Sequence, residues 1–148
     1  VRAGCIAIDG EGNLWAADNF LVGGQSTIYH DFGGGVSKIA PNGRPLSPMT
    51  LGYRGGGVDA PGFGIAISAD DKVWVTSLRS KTISVFDRIT GQPLSPETGY
   101  NFGGQVGAMQ SIIITPNGDV WTFSTVKRTR SCICLREKPR RGAFWAAP

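Results

Sequence analysis

The chain has 148 residues, 41% of them hydrophobic, with 22 glycines, three cysteines, one histidine and a formal charge of +4. That length holds one modest domain. The odd cysteine count gives no disulfide framework, and no apolar run is long enough for a membrane-spanning helix.

Residues 5–9 form a short apolar run, a polar turn follows, and residues 14–18 open a second run on Trp15. Runs this short, bounded by turn residues, predict strands rather than helices. A third strand is expected over residues 36–40, after an insertion at 19–35, and a rim segment over 44–51. The second copy is more complete. Residues 64–68 predict a buried strand, 73–76 its hairpin partner, and 82–87, which alternate polar and apolar, a half-buried third strand. Residues 94–100 carry proline, which cannot donate to a ladder, so they predict a poor edge strand. The third copy supplies residues 112–115 and 120–124, after which the pattern is expected to stop.

The copies are self-similar. Ile6-Ala7-Ile8, Ile65-Ala66-Ile67 and Ile112-Ile113-Ile114 each lead through a turn to a tryptophan, at 15, 74 and 121. A second phrase, Pro-Leu-Ser-Pro, occurs at 45–48 and again at 93–96. A period near 50 residues, with a buried strand grading to a poor edge strand, predicts blades of a β-propeller. The fold class is therefore all-β: two four-stranded antiparallel blades and a partial third. The isoleucines are expected on inner strands, and the tryptophans between blades. Propellers close on about 4–8 blades, so residues 1–126 are expected to be part of a larger ring.

Composition shifts after Val126. Residues 127–148 carry seven basic residues and the single acid Glu137, a charge of +6, whereas the remaining chain sums to −2. This segment is expected to be a basic, disordered or out-of-frame tail. It lacks the aromatic interleaving of a nucleic-acid arm, so no nucleic-acid partner is expected. Cys132 and Cys134 lack the second pair of a zinc site, and Cys5 is expected to pack as a small apolar residue.

The run Ile6-Ala7-Ile8-Asp9 followed by Gly12-Asn13-Leu14-Trp15 and Ala17-Asp18-Asn19 resembles NHL-type repeats. It is similar, too, to the virginiamycin B lyase (streptogramin lyase) group and, more loosely, to gluconolactonase-like propellers. The resemblance covers residues 5–126 and implies a ligand- or protein-binding scaffold, or alternatively a metal-dependent lyase or lactonase with further site residues on other blades. It implies a divalent metal in the lyase case and an extracellular or periplasmic setting. No histidine here matches a repeat position, so the lyases' catalytic histidine is not carried over.

His30 and Asp31 are the one adjacent base-and-acid pair, and so the candidate catalytic residues. Asp18 and Asn19 are candidate metal ligands, with an Asx turn as the structural alternative. They correspond to Ser77-Leu78 and Thr125-Val126 in the other copies. Strand order gathers the loops 19–35, 55–64, 78–81 and 103–111 on one face, where scaffolds place function. Tyr29, Phe63, Arg79, Met109 and Gln110 are its candidate ligand-binding residues, with Arg79 as an anchor for an anionic group. The partner is expected to be a small molecule or a protein, and exposed blade faces are expected to self-associate.

Overall fold

A computed structural model describes residues 3–18, 34–49, 51–126 and 129–136. It is all-β, built from three antiparallel three-stranded sheets. The first joins β1 (Ala3–Ile8), β2 (Leu14–Asp18) and β3 (Val36–Ile39). The second joins β4 (Pro61–Ile67), β5 (Lys72–Ser77) and β6 (Ile83–Asp87). The third joins β7 (Ala108–Ile114), β8 (Asp119–Val126) and β9 (Thr129–Arg136). The first strands of the three sheets lie side by side, β1 against β4 and β4 against β7. This is a propeller-like arrangement with the isoleucines on inner strands.

The three inner hairpins share one turn. Asp9, Ser68 and Thr115 each donate their N–H to the carbonyl four residues on, at 2.9–3.0 Å, and each accepts an N–H from the residue three on. That last residue is left-handed in every copy: Gly12 at φ 79°, Asp71 at φ 62° and Gly118 at φ 84°. Glycine takes this conformation freely; Asp71 takes it at a steric cost that aspartate bears better than most residues.

Pleating sorts each strand onto two faces. In the second sheet Ile65, Val73, Val75 and Phe86 face the first sheet, where they join Trp15, Ala17 and Val36 in one buried cluster. Trp74, Ile83 and Val85 face the third sheet and pack with Met109, Ile112 and Val120. Both faces of the middle sheet are thus buried, which is why β5 reads as a continuous buried run rather than an alternating one.

Two expectations about strands need correction. In the first two sheets the expected fourth strand is not a strand. It is reduced to isolated bridges, Ile39 with Pro45 and Val36 with Tyr53, then Phe86 with Pro93 and Ile83 with Tyr100. The prolines break the ladder, and the Pro-Leu-Ser-Pro phrase replaces it with a compact clasp. Leu46 and Ser47 both donate their N–H to the Lys38 carbonyl, and Leu94 and Ser95 do the same to Val85. In return, the Ser47 hydroxyl accepts the Lys38 N–H and the Ser95 hydroxyl accepts the Val85 N–H, both at 3.0 Å. The repeated serine therefore stands in for an edge-strand carbonyl.

The pattern also continues beyond Ser124. β9 pairs with β8 in unbroken antiparallel register from Val126–Thr129 to Asp119–Arg136. This strand lies inside the segment that charge sets apart. Its run Ser131-Cys132-Ile133-Cys134-Leu135 is short and apolar enough to extend a sheet, a signal masked by the flanking arginines. Residues 127–128 and 137–148 lie outside the described residues.

Candidate ligand-binding face

The inner strands begin at the loop-rich end, β4 and β7 each straight after a glycine-containing loop. Each breaks register there: β1 between Ala3 and Cys5, β4 between Pro61 and Ile65, and β7 between Met109 and Ser111. Counting back from Ile6, Ile65 and Ile112, the residues at these irregularities are Gly4, Phe63 and Gln110. A bulge re-aims a side chain and is a recurrent device beside binding sites. Phe63 is 50% exposed, and Gln110 is exposed beside buried Met109. Two of the candidate residues therefore occupy one structural position in adjacent inner strands. Gly62 and Gly64 allow this closeness, since a Cβ on either would stand 2.9 Å from the β7 backbone.

The loop before β4 and the β5–β6 loop meet at the same end. Arg79 closes them with a two-pronged contact on Asp59, Nε to Oδ2 at 2.7 Å and Nη2 to Oδ1. Its guanidinium is engaged there, so an anion at this face would compete with Asp59. Ser80 and Thr82 hydroxyls donate to the Gly57 carbonyl at 3.0 and 2.9 Å. Met109 is fully buried in the core between the second and third sheets, where it packs rather than lines a surface.

Asp18 ends β2, and its structural counterparts are Ser77 and Ser124, not Ser77 and Thr125 as sequence matching suggested. The three lie three residues after their tryptophans, and all are buried. Ser77 Oγ accepts the Asp59 N–H at 3.3 Å, and Ser124 Oγ accepts the Gly107 N–H at 2.9 Å. In both copies the hydroxyl ties down the loop entering its own inner strand, a structural duty. Asp18 Oδ2 accepts a short hydrogen bond from the Ser37 hydroxyl, while Oδ1 is buried without a partner. Burial raises the Asp18 carboxyl above its ordinary value, against the lowering effect of Ser37. Among the described residues no group of three His, Cys, Asp or Glu side chains is placed to hold a metal. Tyr29, His30, Asp31 and Asn19 lie outside the described residues.

Sequence reading missed an ionic cluster at the opposite end of the first two sheets. Asp9 accepts Trp15 Nε1 and Asn13 Nδ2, both at 3.0 Å, and the N–H groups of Asn13 and Glu11. Burial acts to raise its carboxyl, but these bonds outweigh it and hold the group well below the usual carboxylate range. Arg88 approaches Asp9 at 3.5 Å, Glu11 at 3.1 Å and Asp71 at 2.6 Å. Lys38 Nζ donates to the Arg88 carbonyl at 2.8 Å and lies 5.0 Å from the Trp15 ring centre. These charges are spent on one another, and the cluster is an inter-sheet clip.

No protein-family model matches the sequence, and no curated protein does. Among solved structures, the chain is similar to hydrazine synthase from Kuenenia stuttgartiensis, with a TM-score of 0.63 and 14% identity over 91% of this chain. It is also similar to the extracellular domain of a putative one-component system from B. thetaiotaomicron, with a TM-score of 0.58 and 15% identity over 92% of this chain. The chain spans 32% and 18% of those two chains. At this identity the likeness is one of fold: a propeller-like β domain. Among the described residues no helix is long and apolar enough to cross a membrane.

Proposed function

We propose that the chain is a propeller-like binding scaffold whose ligand surface is the inner-strand edge at the loop-rich end, centred on Phe63 and Gln110. The observation that carries this reading is the shared bulge position of the two residues on β4 and β7. It places an exposed aromatic side chain and an exposed amide, which both donates and accepts, at equivalent positions of adjacent inner strands. That pair suits a small molecule, or a peptide segment, with a planar apolar part and a polar edge. The resemblance of the repeat to NHL and virginiamycin B lyase-like propellers supports a scaffold role, and with it an extracellular setting. The lyase or lactonase alternative rests on that resemblance alone.

The test is a screen of small planar aromatic fragments by amide chemical-shift mapping on the 148-residue chain. Shifts clustered on residues 62–64, 79 and 109–111 are expected, and they should be lost in Phe63→Ala, whose exposed side chain contributes little to folding. Shifts confined to another surface, or unchanged in Phe63→Ala, would count against this site.

A further inference from the structure

Two turns of the chain carry the same corner, Pro-Asn-Gly, at residues 41–43 and 116–118. They are built alike. Gly43 donates its N–H to the Ala40 carbonyl and Gly118 to the Thr115 carbonyl, both at 2.9 Å. Both glycines stand at φ 84°, and Asn42 and Asn117 are both exposed. The turns differ in one bond. In the first, the Arg44 N–H goes to Asn42 Oδ1 at 3.0 Å. In the second, the matching N–H, that of Asp119, goes to the Thr115 hydroxyl at 3.1 Å. Ala40 holds the place of Thr115 and has no hydroxyl to offer, so there the asparagine takes the N–H. The Asn42 side chain is pinned, and the Asn117 side chain is spared that bond.

We propose that Asn117 is a deamidation site of the folded chain and that the Asn42 turn is protected from the same reaction. This inference is independent of the Phe63 surface. The chemistry needs only water. Once hydroxide has taken its proton, the Gly118 nitrogen attacks Asn117 Cγ. The N–Cγ bond forms, the Cγ–Nδ2 bond breaks, and Nδ2 leaves as ammonia after taking a proton from water. Water then opens the cyclic imide at either carbonyl, giving aspartate or isoaspartate. Glycine leaves this nitrogen unshielded, since it has no Cβ. In both turns the nitrogen must first give up its bond to the carbonyl three residues back, so that barrier is shared. Asn42 must in addition release the Arg44 N–H before its Cγ can turn toward the nitrogen. The aspartate product has a precedent in the molecule. Position 117 matches Glu11 and Asp70 in the other hairpin turns, and Thr115 matches Ser68, whose hydroxyl donates to the Asp70 carboxylate. An aspartate at position 117 thus meets a hydroxyl of the same kind. Isoaspartate adds a carbon to the backbone and breaks the turn.

The experiment is peptide mapping by mass spectrometry on the 148-residue chain, held in mildly alkaline buffer, with deamidation rates read at both asparagines. One hydrogen bond of ordinary net strength makes Asn117 faster than Asn42 by about 2–10-fold. The gap is expected to close in concentrated urea, where the two identical corners lose their turns. Thr115→Ala frees the Asp119 N–H for Asn117 and is expected to slow position 117 to the rate of Asn42. Ala40→Thr is the converse: it offers Arg44 a hydroxyl and is expected to speed Asn42. The two substitutions act on different turns, so either tests the exchange if the other fails to fold, and the wild-type comparison needs neither. Equal rates in the folded chain, a faster Asn42, or no reaction at Asn117 overturns the proposal. So does a gap that persists in urea, or a folded variant whose rates do not move.

Discussion

Arg88 and Asp9 are 79 residues apart in sequence and meet at 3.5 Å, joining the turn after β6 to the first hairpin turn of the neighbouring sheet. Both side chains are buried, and Asp9 also receives the Trp15 indole N–H. The first hairpin turn is thus a point where the second sheet grips the first. In the second sheet the Ser68 hydroxyl receives Trp74 Nε1 at 3.3 Å and itself donates to the Asp70 carboxylate.

Removing Asp9 leaves Arg88 and Lys38 with less compensation in a dry site. Breaking a buried ion pair in this way costs about 3–5 kcal/mol. Asp9→Ala is expected to lower stability by that amount in urea denaturation, and Asp9→Asn by less, since the amide keeps an acceptor for Trp15.

The same residue sets an acid dependence. Its carboxyl is held low in the folded chain, so its stabilising contribution is fully present above the unfolded value of about 3.9. It is lost as pH falls through the folded value. Melting temperature is expected to decline below about pH 4, and Asp9→Asn is expected to make that decline shallower.

Asp18 acts in the opposite sense. Burial raises its carboxyl, so the charged form penalises the fold once pH has risen past the folded value. Asp18→Asn removes that penalty while leaving an acceptor for Ser37. It is expected to raise the melting temperature at pH 7 and to leave it unchanged at pH 3; a lower melting temperature at pH 7 would contradict this account of the site.

The serine clasp makes a more local prediction. Ser95 Oγ accepts the Val85 N–H and donates to the Gly56 carbonyl at 2.8 Å, all in a buried setting. Ser95→Ala strands both backbone groups, at a cost of about 1–3 kcal/mol. Ser47 makes only the first of these bonds and is partly exposed, so Ser47→Ala is expected to cost less. Amide exchange at Val85 and Lys38 would report each loss individually.

Gly57 has no room for a side chain. It sits at φ 79°, and an added Cβ would meet the backbone of Gly99, which cannot swing aside as a side chain could. Gly57→Ala combines a left-handed conformation with that clash. It is expected to cost more than about 2 kcal/mol and to disturb the loop that Ser80 and Thr82 hold.

The parts legible in the sequence were those set by local periodicity. Ile65 and Ile67 announce an inner strand because apolar residues flank a short turn, and Trp74 announces an inter-sheet contact because it recurs. The parts that were not legible depend on partners far along the chain. Arg79 looked like a free cation because Asp59 lies 20 residues earlier. Met109 looked like a loop residue because the bulge in β7 hides the start of the strand. Phe63 and Gln110 stand out singly as loop-end residues, but that they share one structural position required the register of two bulges. Two prolines hinted at a weak fourth strand, yet not at a serine substituting for its carbonyl. In β9 the flanking positive charges outweighed the apolar run between them.

Trp15 and Trp74 join successive sheets, and nuclear Overhauser contacts between the indole rings and assigned methyl groups report that joint. Cross-peaks are expected from Trp15 to methyls of Ile65, Val73 or Val75, and from Trp74 to methyls of Ile112 or Val120. Indole cross-peaks confined to methyls of the tryptophan's own sheet would contradict it.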